Sequence, residues 1–89
     1  MTCRIEVRYE RERCVVHLAG RLTEAQVPAL LETCGQGAEP PRLELDELVS
    51  ADVVGIDALL RIEQQGAEFV GLPEYLRLKL EFLAREQKH

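Results

Sequence analysis

Apolar and polar positions alternate over residues 4–9 (RIEVRY), with Ile5, Val7 and Tyr9 on one side and Arg4, Glu6 and Arg8 on the other. A period of two predicts a half-buried strand. The charged run ERER, residues 10–13, predicts a solvated turn, and CVVHLAG, residues 14–20, predicts a second strand ending at Gly20. Strands this close in sequence pair as a hairpin. From Thr23 the period becomes helical, because Val27, Leu30, Leu31 and Cys34 fall on one stripe. Thr23 and Gln26 fit a capping box, and Gly35 suits the stop. Pro28 lacks a backbone donor and argues for a start later than Thr23.

Residues 35–41 (GQGAEPP) predict a loop, and RLELDEL, residues 42–48, a third strand with Leu43, Leu45 and, just beyond it, Val49 pointing inward. A second loop then feeds GIDALLRIEQQG, residues 55–66, whose Ile56, Ala58, Leu59, Leu60 and Ile62 make a broad apolar helix face. Asp57, Arg61, Gln64 and Gln65 take the other face, while Glu63 falls inside the apolar arc. AEFVGL, residues 67–72, is a short strand. Pro73 then opens a last segment at a good first-turn position, with Glu74 beside it. RLKLEFL alternates like a strand, but length and the proline start favour a helix over 73–86. Its apolar arc, made of Tyr75, Leu76, Leu78, Leu80, Phe82 and Leu83, is wider than one core contact needs. Part of it is expected to meet the sheet or a second copy of the chain as a homodimer. The order β-β-α-β-α-β-α predicts an α/β fold in one domain over residues 1–89, a mixed sheet with right-handed crossovers and helices packed on it.

Charge narrows the function. The net charge is −5, with acids spread along the chain and no basic patch, which excludes nucleic acid as a partner. No apolar run approaches the ~20 residues needed to span a bilayer, so membrane insertion is not expected. The charged, alternating start is no signal peptide, and the expected location is cytoplasmic. Cys3, Cys14 and Cys34 are odd in number and contain no CxxC pair, which argues against a disulfide framework or a zinc site. The histidines are His17, inside an apolar strand, and His89 at the end. With no nucleophile–base pair, metal spacing or glycine-rich phosphate loop, an enzyme is not expected, nor is a cofactor.

Three pieces in order, HLAGRLTEAQ, RLELDELVSADVVGIDALL and GAEFVGLPEYLRLKL, resemble the STAS domain, the family of sulfate transporter domains and anti-sigma factor antagonists. The resemblance covers nearly the whole chain and implies a STAS-like mixed sheet. Its most specific part is Leu45-Asp46 at a strand end followed by Asp52-Val53-Val54-Gly55, where the family reads Asp-Ser-Ser-Gly or Asp-Ser-Thr-Gly. In the family's anti-sigma antagonists a partner kinase phosphorylates the hydroxyl after that Asp. The matching position here is Val53, followed by Val54, and neither accepts a phosphate. Ser50 lies outside the acceptor position, and its modification is not expected.

The resemblance implies a non-enzymatic protein-binding module, regulatory in the manner of bacterial anti-sigma antagonists and without a phosphorylation switch. Its partner would be an anti-sigma kinase or a similar protein. The alternative is an accessory STAS subunit of a bacterial phospholipid ABC transport complex, bound to another transporter subunit. The partner-binding residues implied are Asp52, Val53, Val54, Gly55, Asp57 and Arg61. Two plainer readings compete. Asp52 is among the best helix-capping residues, and the valines could plug the core as the chain enters the helix. Adjacent residues at a helix entry do not both point inward, so Val53 is expected to face a partner and Val54 the core. Asp46, Asp52 and Asp57 could be imagined around Mg²⁺, but they span a strand end, a loop and a helix face. No metal is expected there.

Overall fold

The computed structural model describes residues 3–11, 13–35 and 39–87. β1 (Arg4–Glu10) and β2 (Arg13–Leu22) form an antiparallel hairpin. α1 (Val27–Cys34) leads to β3 (Arg42–Ala51), α2 (Val53–Gln64) to β4 (Glu68–Val70), and α3 (Glu74–Glu86) follows. The strands lie in the order β1-β2-β3-β4, with β2, β3 and β4 mutually parallel. The two parallel crossovers step across the sheet in the same direction. Right-handed connections therefore put both crossover helices on one face. The core bears this out: Val16, Leu18, Leu43 and Leu45 of the sheet join Leu30 of α1, Ile56, Leu59 and Ile62 of α2, and Leu76 and Leu80 of α3 in one cluster.

The helix boundaries follow from local chemistry. α1 begins at Val27, later than Thr23, with Pro28 in its first turn where a missing donor costs nothing. The Thr23–Gln26 pair still forms, as the Thr23 amide and hydroxyl both donate to Gln26 Oε1, at 3.0 and 2.7 Å, but it closes a turn ahead of the helix. α2 ends in a Schellman motif. Gly66, at φ +105°, donates to the Glu63 carbonyl, and Ala67 donates to that of Ile62. α2 packs against both α1 and α3, which is why its apolar face is so broad. Glu63, inside that arc, is explained by α3: Arg77 Nη1 donates to its carboxylate at 2.9 Å.

β3 departs from the expected alternation. Its pairing with β2 slips twice, between His17 and Ala19 and between Gly20 and Arg21, with an extra β3 residue accommodated each time. Each bulge reverses the parity of the strand. Leu43, Leu45, Leu48 and Ala51 therefore face the core, and Val49, expected inward, is 58% exposed. β1 also differs. Ile5, Val7 and Tyr9 lie opposite Leu18, Val16 and Cys14, on the helix side of the sheet. Only Ile5 packs on the core, and Val7 and Tyr9 are exposed, because β1 is the sheet edge and the helices sit over the inner strands.

Among the described residues the second sheet face carries no helix, and it is a lattice of charge. Arg8 holds Glu44 and Glu10, each at 2.7 Å, and Arg13 Nη1 meets Glu68 at 3.0 Å. His17 sits between Glu47 at 2.7 Å and Glu44 at 3.4 Å. Val15, flanked in register by Arg8 and Arg42, is fully buried on this face.

Candidate functional site at the start of the second crossover helix

The stretch read as a loop before α2 is almost no loop. β3 runs to Ala51 and α2 begins at Val53, so Asp52 alone connects strand to helix. Its extended backbone (φ −79°, ψ −178°) is that of an N-cap. Both carboxylate oxygens are used. Oδ1 accepts from the Gly55 amide at 2.7 Å, and Oδ2 accepts from the Glu24 amide at 3.0 Å. The Asp52 amide itself donates to the Leu22 carbonyl. One residue thus ties the end of β2, the turn before α1 and the start of α2 together. Gly55 is fixed by the same junction, since a Cβ there would lie 2.8 Å from the Leu22 carbonyl oxygen.

With Gly55 pressed onto Leu22, the two valines before it turn away. Val53 is 76% exposed. Val54, expected in the core, is 40% exposed. The correction has a simple origin. Ile56 and Gly55 already occupy the inward side of this turn, and each successive residue is rotated by about 100°, which carries Val54 to the margin of the buried stripe. Asp57 and Arg61 pair with each other at 3.0 Å, one turn apart, and Gln87 donates to Asp57 from the end of α3. Arg61 remains largely exposed.

An apolar groove of about 470 Å³ opens beside Val53, lined by Ala51, Ile56, Leu78, Phe82 and Leu83 and rimmed by Asp52, Lys79 and Glu86. The wide arc of α3 divides here. Leu76 and Leu80 enter the core, while Tyr75, Leu78 and Phe82 form an exposed stripe, Phe82 at 64%. Sequence reasoning marked that arc as a contact face. It did not place Leu78 and Phe82 against Val53, because nothing in a linear pattern relates the first turn of one helix to the outer face of another.

The remaining candidates lie elsewhere. Asp46, Asp52 and Asp57 do not converge; among the described residues no group of three or more acidic, His or Cys side chains is placed to hold a metal ion. Ser50 is half-buried at the end of β3. Burial, with the neighbouring Cys14, pushes the Cys34 thiol up to about 12, and burial also raises Cys3. Such thiols are poor nucleophiles. His17 is on the far face of the sheet, where hydrogen bonding to Glu47 first and Glu44 second raises its pKa against the opposing effect of burial.

No family model and no curated protein matches the sequence. Solved structures do match. The fold is similar to that of the antisigma-factor antagonist STAS domain from Rhodobacter sphaeroides, with a TM-score of 0.57 at 16% identity over 78% of this chain and 86% of that one. It is also similar to a DUF3478-family protein with a SpoIIAA-like fold from Shewanella loihica PV-4, with a TM-score of 0.53 at 14% identity over 81% of this chain and 68% of that one. The mixed four-stranded sheet with three helices is a STAS-like, SpoIIAA-like α/β fold. No helix among the described residues is long and apolar enough to cross a membrane.

Proposed function

We propose that this STAS-fold chain is a non-enzymatic, cytoplasmic protein-binding module that engages a protein partner through the start of α2 and the adjoining flank of α3. The observation that carries the reading is Val53, 76% exposed at the helix entry and lining an apolar groove with Leu78 and Phe82. A β-branched apolar residue so exposed adds nothing to the fold. Set at the mouth of an apolar groove it offers the desolvated contact on which interface energy concentrates. A phosphorylated hydroxyl at this position would add about −1.5 to −2 charges and use the helix N-terminus. Valine makes the contact independent of kinase activity, so regulation resides in the partner. Permanent interfaces are more apolar than switched ones. The apolar lining of the groove therefore favours a constitutive partner, such as a subunit of a transport complex, over an anti-sigma kinase released by phosphorylation.

The test is affinity capture from the native host read by mass spectrometry, followed by Val53→Asp against the captured partner. The exposed site predicts a fold stability within about 0.5 kcal/mol of the parent. Binding should weaken by several kcal/mol, because the interface would bury an unpaired carboxylate. Full-strength binding by the variant would remove the start of α2 from the interface.

A further inference from the structure

We infer that the outer edge of β1 is a self-association surface, on which a second copy of this chain pairs antiparallel about a two-fold axis through Val7. β1 is hydrogen-bonded to β2 on one side only, so its other edge presents main-chain donors and acceptors along seven residues. Edge strands commonly guard themselves with charged side chains, proline or bulges. This one has no proline, and its four charges alternate in sign, so they repel a second copy only in the wrong register. Its sequence, RIEVRYE, is complementary to its own reverse. Centred on Val7, the antiparallel pairing sets Arg4 against Glu10, Glu6 against Arg8, Ile5 against Tyr9 and Val7 against itself. Every charged pair is of opposite sign, and every apolar residue meets an apolar residue.

The register is specific. Moving the centre to Glu6 sets glutamate against glutamate and Arg4 against Arg8. Moving it to Arg8 sets arginine against arginine and Glu6 against Glu10. Like charges directly opposite on a sheet oppose pairing. Among the registers that align the two faces and pair most of the strand, the one on Val7 alone is free of such clashes.

The side chains are also arranged to use it. Val7 and Tyr9, at 43% and 68%, are exposed on the helix side of the sheet, where the helices stop short of the edge. A second β1 brings its own Val7, Ile5 and Tyr9 to that strip and covers it. On the charged face, Arg4 and Glu6 pair with each other at 3.8 Å, both largely exposed, and among the described residues neither has a second ionic partner. In the pair they meet Glu10 and Arg8 of the second copy. The product is one continuous sheet in the order β4-β3-β2-β1-β1-β2-β3-β4, with the helices of both copies on one face. This is the isologous contact expected of a two-fold dimer. It leaves the start of α2 untouched and does not depend on the function proposed above.

Sedimentation equilibrium of the full chain over a concentration series tests it. The expected result is a monomer–dimer equilibrium whose dissociation constant rises about tenfold or more in Glu6→Arg, since each dimer then carries two opposed arginine pairs. Phe82→Asp should leave the equilibrium unchanged. Independently, Val7→Cys should give a disulfide-linked dimer on mild oxidation that the parent chain does not give, because directly opposed residues of an antiparallel pair lie within disulfide reach. A parent chain that stays monomeric throughout, a dimer that survives Glu6→Arg but is lost in Phe82→Asp, or a Val7→Cys dimer that fails to cross-link would overturn the proposal.

Discussion

Asp52→Ala and Asp52→Asn, compared, separate the two oxygens of the residue that joins β3 to α2. Removing the carboxylate takes away the cap on Gly55, at 2.7 Å, and the bond to the Glu24 amide, at 3.0 Å. Loss of an N-cap costs about 1 kcal/mol, and a hydrogen bond of the second kind about 0.5–1.5 kcal/mol net. The sum is about 2 kcal/mol. Asp52→Asn divides it. The amide oxygen still caps Gly55, but its NH2 group cannot accept from Glu24, so about 1 kcal/mol is lost. For a domain of this size each kcal/mol moves Tm by roughly 4–8 °C. The alanine variant should therefore melt about 8–16 °C below the parent and the asparagine variant about half as far. Urea denaturation gives the same ladder as a shift in midpoint at constant slope, since Asp52 is exposed and its removal opens no cavity. If asparagine and alanine are equally destabilised, the Gly55 cap contributes nothing measurable. If neither shifts, Asp52 serves something other than this junction, and the explanation for its place in the motif fails.

Gly55→Ala should cost about 1–3 kcal/mol, because the new methyl lies 2.8 Å from the Leu22 carbonyl oxygen and the backbone must move to admit it; an unchanged denaturation midpoint would show that β2 and α2 are not in close contact. His17 has a folded pKa raised above its ordinary value near 6.5, so its contribution is fully present below that value and is lost as pH rises through the folded pKa. Thermal stability should fall across that window and the fall should flatten in Glu47→Gln, with NMR titration of His17 locating the transition; a drop on the acid side of the window instead would contradict the Glu44–His17–Glu47 geometry. Glu44 behaves in the opposite sense. Arg8 holds its carboxyl below the ordinary 4.5, so that contribution is present above 4.5 and disappears as pH falls through the folded value. Arg8→Gln should make acid unfolding set in less steeply there, as measured by circular dichroism.

Most of the architecture was legible in the chain. Periods of two and of about 3.6, with punctuation at Gly20, Gly35, Gly66 and Pro73, identify all seven elements in their order. These signals are local, since alternation and capping act over a few residues. The split of α3 is visible too, because Leu76 and Leu80 follow one stripe and Tyr75, Leu78 and Phe82 another. What escaped the sequence depends on partners distant along the chain. Val49 faces out because two bulges in β3 accommodate β2, and a bulge has no signature in RLELDELVSA. Val7 and Tyr9 alternate like buried residues yet are exposed, because periodicity gives the face of a strand and not its place at the edge of a sheet. Val54 looks like a core residue until Leu22, some thirty positions earlier, closes on Gly55 and takes the space beneath it. Glu63 breaks an apolar arc until α3 brings Arg77 to it. The groove that joins Val53 to Phe82 is likewise a product of helix packing: short-range chemistry makes each helix amphipathic, and only the burial of both against one sheet decides which exposed faces become neighbours.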